Sequence, residues 1–376
     1  MRIGSFNVEN LFDRAKVMDL STWDKGREAL QDYAELSQLL GQRAYSLTDK
    51  ARMIELFIDL GMAQQDEGPF VILRSNRGKL VRRPSEGGFV IEADGRFDWT
   101  GSLELIHAPV NEVSMQNTAR VINDLECDIL AVVEAENRPA LSMFCEDILP
   151  VVAGDNPVSG QFEQIMLIDG NDERGIDVGL LTRNGFRIGP MRSHVDDRDG
   201  QGRRIFSRDC PEFHVVTPLG NELLVMVNHF KSKGYGNMAE SDRRRGRQAG
   251  RVAEIYEERR AQGHDNIVVL GDLNDYLGRA PLRPLIENTD LVDISQLTGF
   301  DDGGFPGTYH PCTNADDKID FLLLSPALQP LVRSGGIFRK GMWPGKNNPR
   351  WPAYPAIERQ GLAASDHAAI WAEIAI

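Results

Sequence analysis

Six short polar clusters in this chain stand directly at the ends of apolar runs, and that arrangement constrains the fold more than any other feature. Asn7-Val8-Glu9-Asn10 closes the run that begins at Arg2, and Glu134-Ala135-Glu136-Asn137 follows Ile129–Val133. Asn228-His229-Phe230-Lys231-Ser232-Lys233 follows Leu223–Val227, and Gly271-Asp272-Leu273-Asn274-Asp275 follows Ile267–Leu270. Lys318-Ile319-Asp320 opens the run to Leu324, and Ser365-Asp366-His367 precedes the alternating segment Ala368–Ile376. Short apolar runs bounded by polar clusters read as strands buried on both faces. An α/β fold presents its ligand-handling groups at such strand ends. Taken singly, each cluster is an ordinary turn former. The ordered set (Asn, Glu, His, Asp-x-Asn, Asp, Asp-His) is what points to a site.

The rest of the chain alternates in the same way. A helix is expected near Asn117–Leu125, a strand at Val178–Leu181 and an arginine-rich helix over Ser241–Arg260. Between the first and second clusters the pattern is different. From Thr22 to about Met62 apolar residues recur at helical spacing, with Gly61 as a helix stop. Phe70–Leu73, Lys79–Val81, Phe89–Ile91 and Leu103–Leu105 then read as short strands, with hairpin-type turns at Asn76-Arg77-Gly78 and Asp94-Gly95. Residues 14–113 are therefore expected to be a helix-plus-hairpin cap inserted in a single α/β domain spanning 1–376.

Composition narrows the class. With 41% hydrophobic and 26% charged residues the chain is globular in balance. A net charge of −14 and a pI near 5.1 argue against wrapping nucleic acid by bulk electrostatics, but not against an enzyme that meets phosphates through local cations and a metal. The start of the sequence lacks the pattern of a secretory leader, and no apolar stretch reaches about 18 residues, so no membrane contact and a cytoplasmic location are expected. Cys127, Cys145, Cys210 and Cys312 are scattered without a C-x-x-C pair, which reads as reduced thiols.

The motifs Ser5-Phe6-Asn7, Asp128–Glu134, Arg174-Gly175-Ile176-Asp177-Val178, Asn228-His229-Phe230, Gly271-Asp272-Leu273-Asn274, Gly307-Thr308-Tyr309, Ile319-Asp320-Phe321 and Ser365-Asp366-His367 span nearly the whole chain. In that order they resemble the endonuclease/exonuclease/phosphatase superfamily with the deoxyribonuclease I-like fold, and in particular its nuclease-type bacterial members. The resemblance implies a four-layer α/β sandwich, two packed mixed sheets with helices outside. It implies a hydrolase dependent on Mg²⁺ or Mn²⁺ that cleaves phosphodiesters in nucleic acid, DNA favoured, as an endonuclease or exonuclease.

Mg²⁺ takes oxygen ligands and keeps several waters, so one or two carboxylates suffice. The resemblance makes Glu134 the best candidate ligand, with Asn7, Glu9 and Asp366 assisting. It casts Asp272 as the group that deprotonates water, Asn274 as a donor to a phosphate oxygen, and His229 and His367 as flanking the phosphate. Asp320 is expected to hold the His367 imidazole. Glu163, Asp169 and Asp172 compete as partners of His229. Asp177, Lys231, Thr308 and Tyr309 are expected at the substrate, although Asp177 suits a loop-satisfying role equally and Tyr309 suits packing.

Other readings stand beside this one. The same site suits a small or lipid phosphoester, such as an inositol phosphate or a sphingomyelin-like head group. A non-catalytic interaction protein would have lost Glu134, Asp272 or His367, and all three are present. Arg243, Arg244, Arg245, Arg247 and Arg251 read as a solvated, ion-paired helix face more than as a nucleic-acid contact. Trp343, Trp351 and Tyr354 suit either base stacking or loop anchoring.

Overall fold

The computed structural model describes residues 1–9, 11–19, 23–85, 87–153, 161–233, 237–309, 318–347 and 349–376; Asn10, Thr22 and Cys312 lie outside them. The chain divides into two compact units, one built on Met1–Phe12 with most of the chain beyond Val110, the other on Asp13–Pro109.

The larger unit contains two mixed sheets. Its strands are β1 (Arg2–Asn7), β2 (Ile129–Ala135), β3 (Gln164–Ile168), β4 (Asp177–Thr182), β5 (Arg187–Arg192), β6 (Glu212–Val216), β7 (Glu222–His229), β8 (Ile267–Asp272), β9 (Val292–Asp293), β10 (Phe300–Asp301), β11 (Asp320–Leu324), β12 (Val332–Phe338) and β13 (Ala369–Ile374). The seven-stranded sheet runs β10-β12-β13-β1-β2-β4-β3, and the six-stranded sheet runs β5-β6-β7-β8-β11-β9.

Side chains alternate across each strand, and the central strands of both sheets are buried on both faces. Ile129, Ala131 and Val133 of β2 point into a core shared with Val225 and Val227 of β7 and Val268 and Leu270 of β8, whereas Leu130 and Val132 point outward. There they meet Val121, Ile122 and Leu125 of the helix Glu112–Leu125. On the far side, Leu224, Met226 and Val269 pack against Val252, Ile255 and Tyr256 of the helix Met238–Ala261. The result is the expected four-layer α/β sandwich. Among the described residues no helix is long and apolar enough to cross a membrane.

The arginine-rich helix departs from the solvated face anticipated for it. Arg245 is fully buried, pairing with Asp242 and Asp275, and Arg259 is clamped by Glu212. These guanidiniums are committed inside the protein.

The unit over Asp13–Pro109 has its own core, in which Leu30, Leu36, Met53, Phe57, Leu73 and Trp99 pack. Its helices are Trp23–Leu40 and Leu47–Asp59, the latter started by a capping box between Ser46 and Asp49. Only the inner two strands pair as sequence neighbours. Val71–Arg77 pairs with Thr100–Leu105, and the short pair Val81–Arg82 and Val90–Ile91 is nested between them. Asn76-Arg77 therefore ends a strand and is not the turn of a hairpin to Lys79. Gly78 supplies the left-handed backbone there (φ 69°), where a Cβ would lie 2.0 Å from the Asp98 carbonyl oxygen.

Candidate active site

Each sheet has a parallel strand pair near its centre, and the site forms at the carboxyl ends of those two pairs. In the seven-stranded sheet β1 and β2 run parallel with Asn7 opposite Val133, which brings Asn7 and Glu9 beside Glu134. In the six-stranded sheet β7 and β8 run parallel with His229 opposite Asp272. The antiparallel neighbour β11 starts at Asp320, directly opposite Asp272. His367 lies just ahead of β13. The two sheets thus contribute half a site each.

The side chains form a continuous line. His229 Nε2 lies 3.6 Å from Glu134 Oε1 and 3.6 Å from Asp272 Oδ2. His367 Nε2 lies 3.9 Å from Asp272 Oδ2 and 3.8 Å from Asp366 Oδ1, and its Nδ1 lies 2.9 Å from Asp320 Oδ2. The Asp366 backbone N–H donates to Glu9 Oε2 at 2.9 Å. Tyr309 covers the His367 ring, with centroids 4.9 Å apart.

Three site residues hold left-handed backbone without being glycine: Glu9 (φ 45°), Glu134 (φ 65°) and Asn274 (φ 52°). Such conformations cost of order 1–3 kcal/mol and persist where the surroundings over-determine them. At Glu134 the cause is visible. The β2–β4 register slips between Asp177 and Val178, leaving Glu134 as the extra residue of a bulge that re-aims its side chain. Gly271 has φ 125°, and a Cβ there would lie 2.0 Å from the Asn228 carbonyl oxygen, so the glycine of the Gly-Asp-Leu-Asn string is required for β7 and β8 to close.

The electrostatics separate the two imidazoles. Burial, with Arg208 and Arg174 nearby, holds His229 well below the usual histidine range. Burial also pulls on His367, but Asp320, Asp272 and Asp366 outweigh it and hold that ring well above the usual range. Burial and the charge of Asp320 push Asp272 up to about 7. The charge of Asp366, then burial, then the charges of Glu9, Asp272 and Glu134 raise the Tyr309 phenol.

The residues fit a divalent cation. Asn7 is buried, and among the described residues neither its Oδ1 nor its Nδ2 has a hydrogen-bond partner, which is costly unless another ligand occupies that position. The surrounding donors are oxygens, from Glu134, Glu9 and Asp366, the set that Mg²⁺ or Mn²⁺ accepts. Ligand atoms of Asp272, Asp320 and His367 also lie within 4.8 Å of one another, a spacing a metal tolerates. Within that trio His367 Nδ1 and Asp320 Oδ2 are hydrogen-bonded to each other.

Several anticipated residues have other work. Asn274 Nδ2 donates to Asp272 Oδ2 (3.0 Å) and to the Phe230 carbonyl (3.2 Å), and its backbone N–H donates to Asp272 Oδ1 (2.8 Å). The side-chain amide thus gives one bond to Asp272 and one to the Phe230 carbonyl, and the backbone N–H gives a second to Asp272. Thr308 is fully buried, and its Oγ1 accepts from the N–H groups of Ile319 and Asp320, which anchors the start of β11. Asp177 accepts from the Gly170 N–H at 2.7 Å, the loop-satisfying role. Lys231 is partly buried, and its backbone is held by Gln248.

Of the three carboxylates proposed for His229, Asp172 is taken by Arg174 (2.8 Å) and Arg208 (2.7 Å), and Glu163 accepts from Gly185 N–H. Trp351 is buried against Phe305, a loop anchor. Cys127, Cys145 and Cys210 are free and buried.

The sequence reading missed two groups. Ser114, Asn117 and Thr118, at helical spacing on one face of Glu112–Leu125, donate to the carbonyls of Gly361, Leu362 and Ala364, pinning the segment that enters Ser365-Asp366-His367. Polar residues at i, i+3 and i+4 on an otherwise apolar face are a signal the sequence did contain. Arg208 donates to the Phe230 carbonyl, the oxygen that Asn274 also uses, and so borders the site. Nothing local in the sequence marks it.

Comparison with known proteins places these features in context. A sequence model of a family described as endonuclease/exonuclease/phosphatase matches residues 95–290. Among solved structures, a mannosyl-6-phosphatase from Bacteroides thetaiotaomicron is similar, with 17% identity, 69% of this chain and 90% of that chain covered, and a TM-score of 0.49. Truncated TDP2 from Caenorhabditis elegans gives 16%, 69%, 88% and 0.44, and the human nocturnin catalytic domain with bound sulfate gives 14%, 70%, 86% and 0.47. A search of curated proteins found no match.

Proposed function

Because this chain belongs to the endonuclease/exonuclease/phosphatase family, whose members hydrolyse phosphoesters, we propose that it is a divalent-metal-dependent phosphodiesterase acting on nucleic acid. The observation that carries this reading is the buried Asn7 amide, without a hydrogen-bond partner among the described residues, at the strand end beside Glu134. Asn7 Oδ1 and Glu134 would hold the cation, with Glu9 and Asp366 beside them. When bound, the cation neutralises phosphoryl charge and stabilises the leaving oxygen.

The chain's own groups do the rest. Asp272, fixed through both carboxylate oxygens by Asn274, orients water and takes its proton; a carboxylate raised to about 7 suits that task near neutrality. His367, held at Nδ1 by Asp320, presents Nε2–H to a phosphoryl oxygen, where negative charge develops. His229, between Glu134 and Asp272, closes the opposite side.

A second reading keeps the site and changes the substrate to a small or lipid phosphoester, with which the net charge of −14 is compatible. The test is a hydrolysis screen with Mg²⁺ and Mn²⁺ over single-stranded DNA, duplex DNA, RNA, inositol phosphates and sphingomyelin. Cleavage of nucleic acid that is lost in EDTA and in Glu134→Gln is expected. Turnover that survives either change overturns the metal assignment, and turnover of the small esters alone selects the second reading.

A further inference from the structure

Residues 68–85 contain five cations, Arg74, Arg77, Lys79, Arg82 and Arg83, and no acid, in a chain with 56 acidic residues. The strand pair Val71–Arg77 and Thr100–Leu105 carries Arg74 and Arg77, and the separate pair Val81–Arg82 with Val90–Ile91 carries Arg82. Ladder partners are Ile72 with Glu104, Arg74 with Ser102, and Arg77 with Thr100. Residues three apart on a regular strand face opposite ways. A bulge between Ser75 and Arg77 removes that offset, so Arg74 and Arg77 share the exposed face with Ser102 and Thr100.

The charges of this segment are unequally compensated. Arg83 is tied to Asp66 and to the carbonyls of Met62, Ala63 and Gln65, and Arg74 pairs with Glu104 at 3.4 Å. Arg77 instead donates to neutral acceptors, the Phe97 carbonyl (2.8 Å) and Thr100 Oγ1 (3.4 Å), so it is held in place with its charge intact. Lys79 and Arg82 are exposed and have no ion pair among the described residues. Phe97, anchored by Arg77, is 78% exposed.

We propose that the segment from Arg74 to Arg82, with the facing strand Thr100–Leu105, is a docking face for the phosphate backbone of nucleic acid, with Arg77, Lys79 and Arg82 as the phosphate contacts and Phe97 as a stacking platform. It rests on the nucleic-acid reading of the active site. Fixed guanidiniums interleaved with hydroxyls meet phosphate oxygens, and a two-stranded ribbon fits a groove. Cations beside an open aromatic ring suit a single strand. A lipid surface needs apolar insertion, and the outward rows here are Ile72, Arg74 and Arg77 on one strand and Thr100, Ser102 and Glu104 on the other, with Phe97 the one strongly exposed aromatic among the described residues of this unit.

The test is equilibrium binding of the full chain, in EDTA so that nothing turns over, to a labelled single-stranded oligonucleotide, a duplex and an anionic phosphatidylserine vesicle. Wild type is compared with the triple variant Arg77→Ala/Lys79→Ala/Arg82→Ala. We expect a Kd for the oligonucleotides raised at least tenfold and a salt slope reduced by about two to three, the share of three phosphate contacts. Hydrolysis of bis(4-nitrophenyl) phosphate with metal should be unchanged, which also reports that the variant is folded.

Equal oligonucleotide affinity and slope in both proteins, no oligonucleotide binding by wild type, or a loss confined to vesicles overturns the proposal. These outcomes separate from failure at the active site. A variant that loses oligonucleotide affinity in a protein that cleaves no nucleic acid keeps the docking face and removes the catalytic reading. Cleavage with unaltered affinity does the reverse.

Discussion

Asp320 and His367 meet across the sandwich: Asp320 begins a strand of the six-stranded sheet, His367 precedes a strand of the seven-stranded sheet, and their side chains lie 2.9 Å apart. The bond is possible because both strands run antiparallel to the strands beside them and so present their starts where the parallel pairs present their ends. His367→Ala should lower kcat by roughly two to four orders of magnitude, the range for a lost acid–base or electrostatic group. Asp320→Asn should cost less, since the imidazole stays. Steady-state kinetics on both variants decide this, and a worse Asp320→Asn would mean that Asp320 acts on the substrate directly.

The hydroxyl of Thr118 and the amide of Asn117 reach the loop that delivers His367. Thr118→Val leaves the buried Ala364 carbonyl without that donor, with an expected loss of about 1–3 kcal/mol. Activity should fall with it, whereas Thr118→Ser should retain both. Denaturant melts paired with kcat measurements test the link, and a stable but inactive Thr118→Val would show that placement of His367, not stability, is what the hydroxyl secures.

Glu134 holds a left-handed backbone that glycine adopts freely. Glu134→Gly and Glu134→Ala should both abolish activity. In EDTA, however, the glycine variant should be the more stable of the two by roughly 1 kcal/mol, because only alanine retains the Cβ clash. Equal melting of the two variants would remove the argument for strain at the bulge.

Far from the site, Glu212 accepts from Arg259 at 2.6 and 2.7 Å and faces His194 Nε2 at 2.8 Å. Burial opposes ionisation, but His194 and Arg259 outweigh it and lower this carboxyl from 4.5 to about 2. A depressed acid contributes stability that is complete above its unfolded value and lost as pH falls through the folded one. Its contribution, about 3 kcal/mol at most, should therefore be present at pH 6 and decline between pH 4.5 and 2. Thermal melts across that window should show Glu212→Gln with a shallower acid slope than wild type.

Much of the body was legible because a period of two with both faces apolar is a local property of the chain. Ile129–Val133, Leu223–Val227 and Ile267–Leu270 all lie in strands, and Asn7, Glu134, His229, Asp272, Asp320 and His367 converge at one end of the sandwich. The nested pairing of Val71–Arg77 with Thr100–Leu105 was not legible, since several short strands of similar pattern admit more than one partner. The burial of Arg245 and Arg259 was hidden for a related reason: a helix rich in both signs reads as solvated until the carboxylates of Asp275 and Glu212 arrive from other elements.

The sequence by itself determined which residues end the strands, that those strands are covered on both faces, and that the clusters supply oxygen and imidazole donors. Tertiary structure alone decided how those donors are used. Register placed Asp320 opposite Asp272, a bulge turned Glu134 into left-handed backbone, and the shared Phe230 carbonyl drew Asn274 onto Asp272. Periodicity is set by neighbours along the chain, whereas hydrogen-bond partners and strain are set by whichever strand ends the packed sheets bring together.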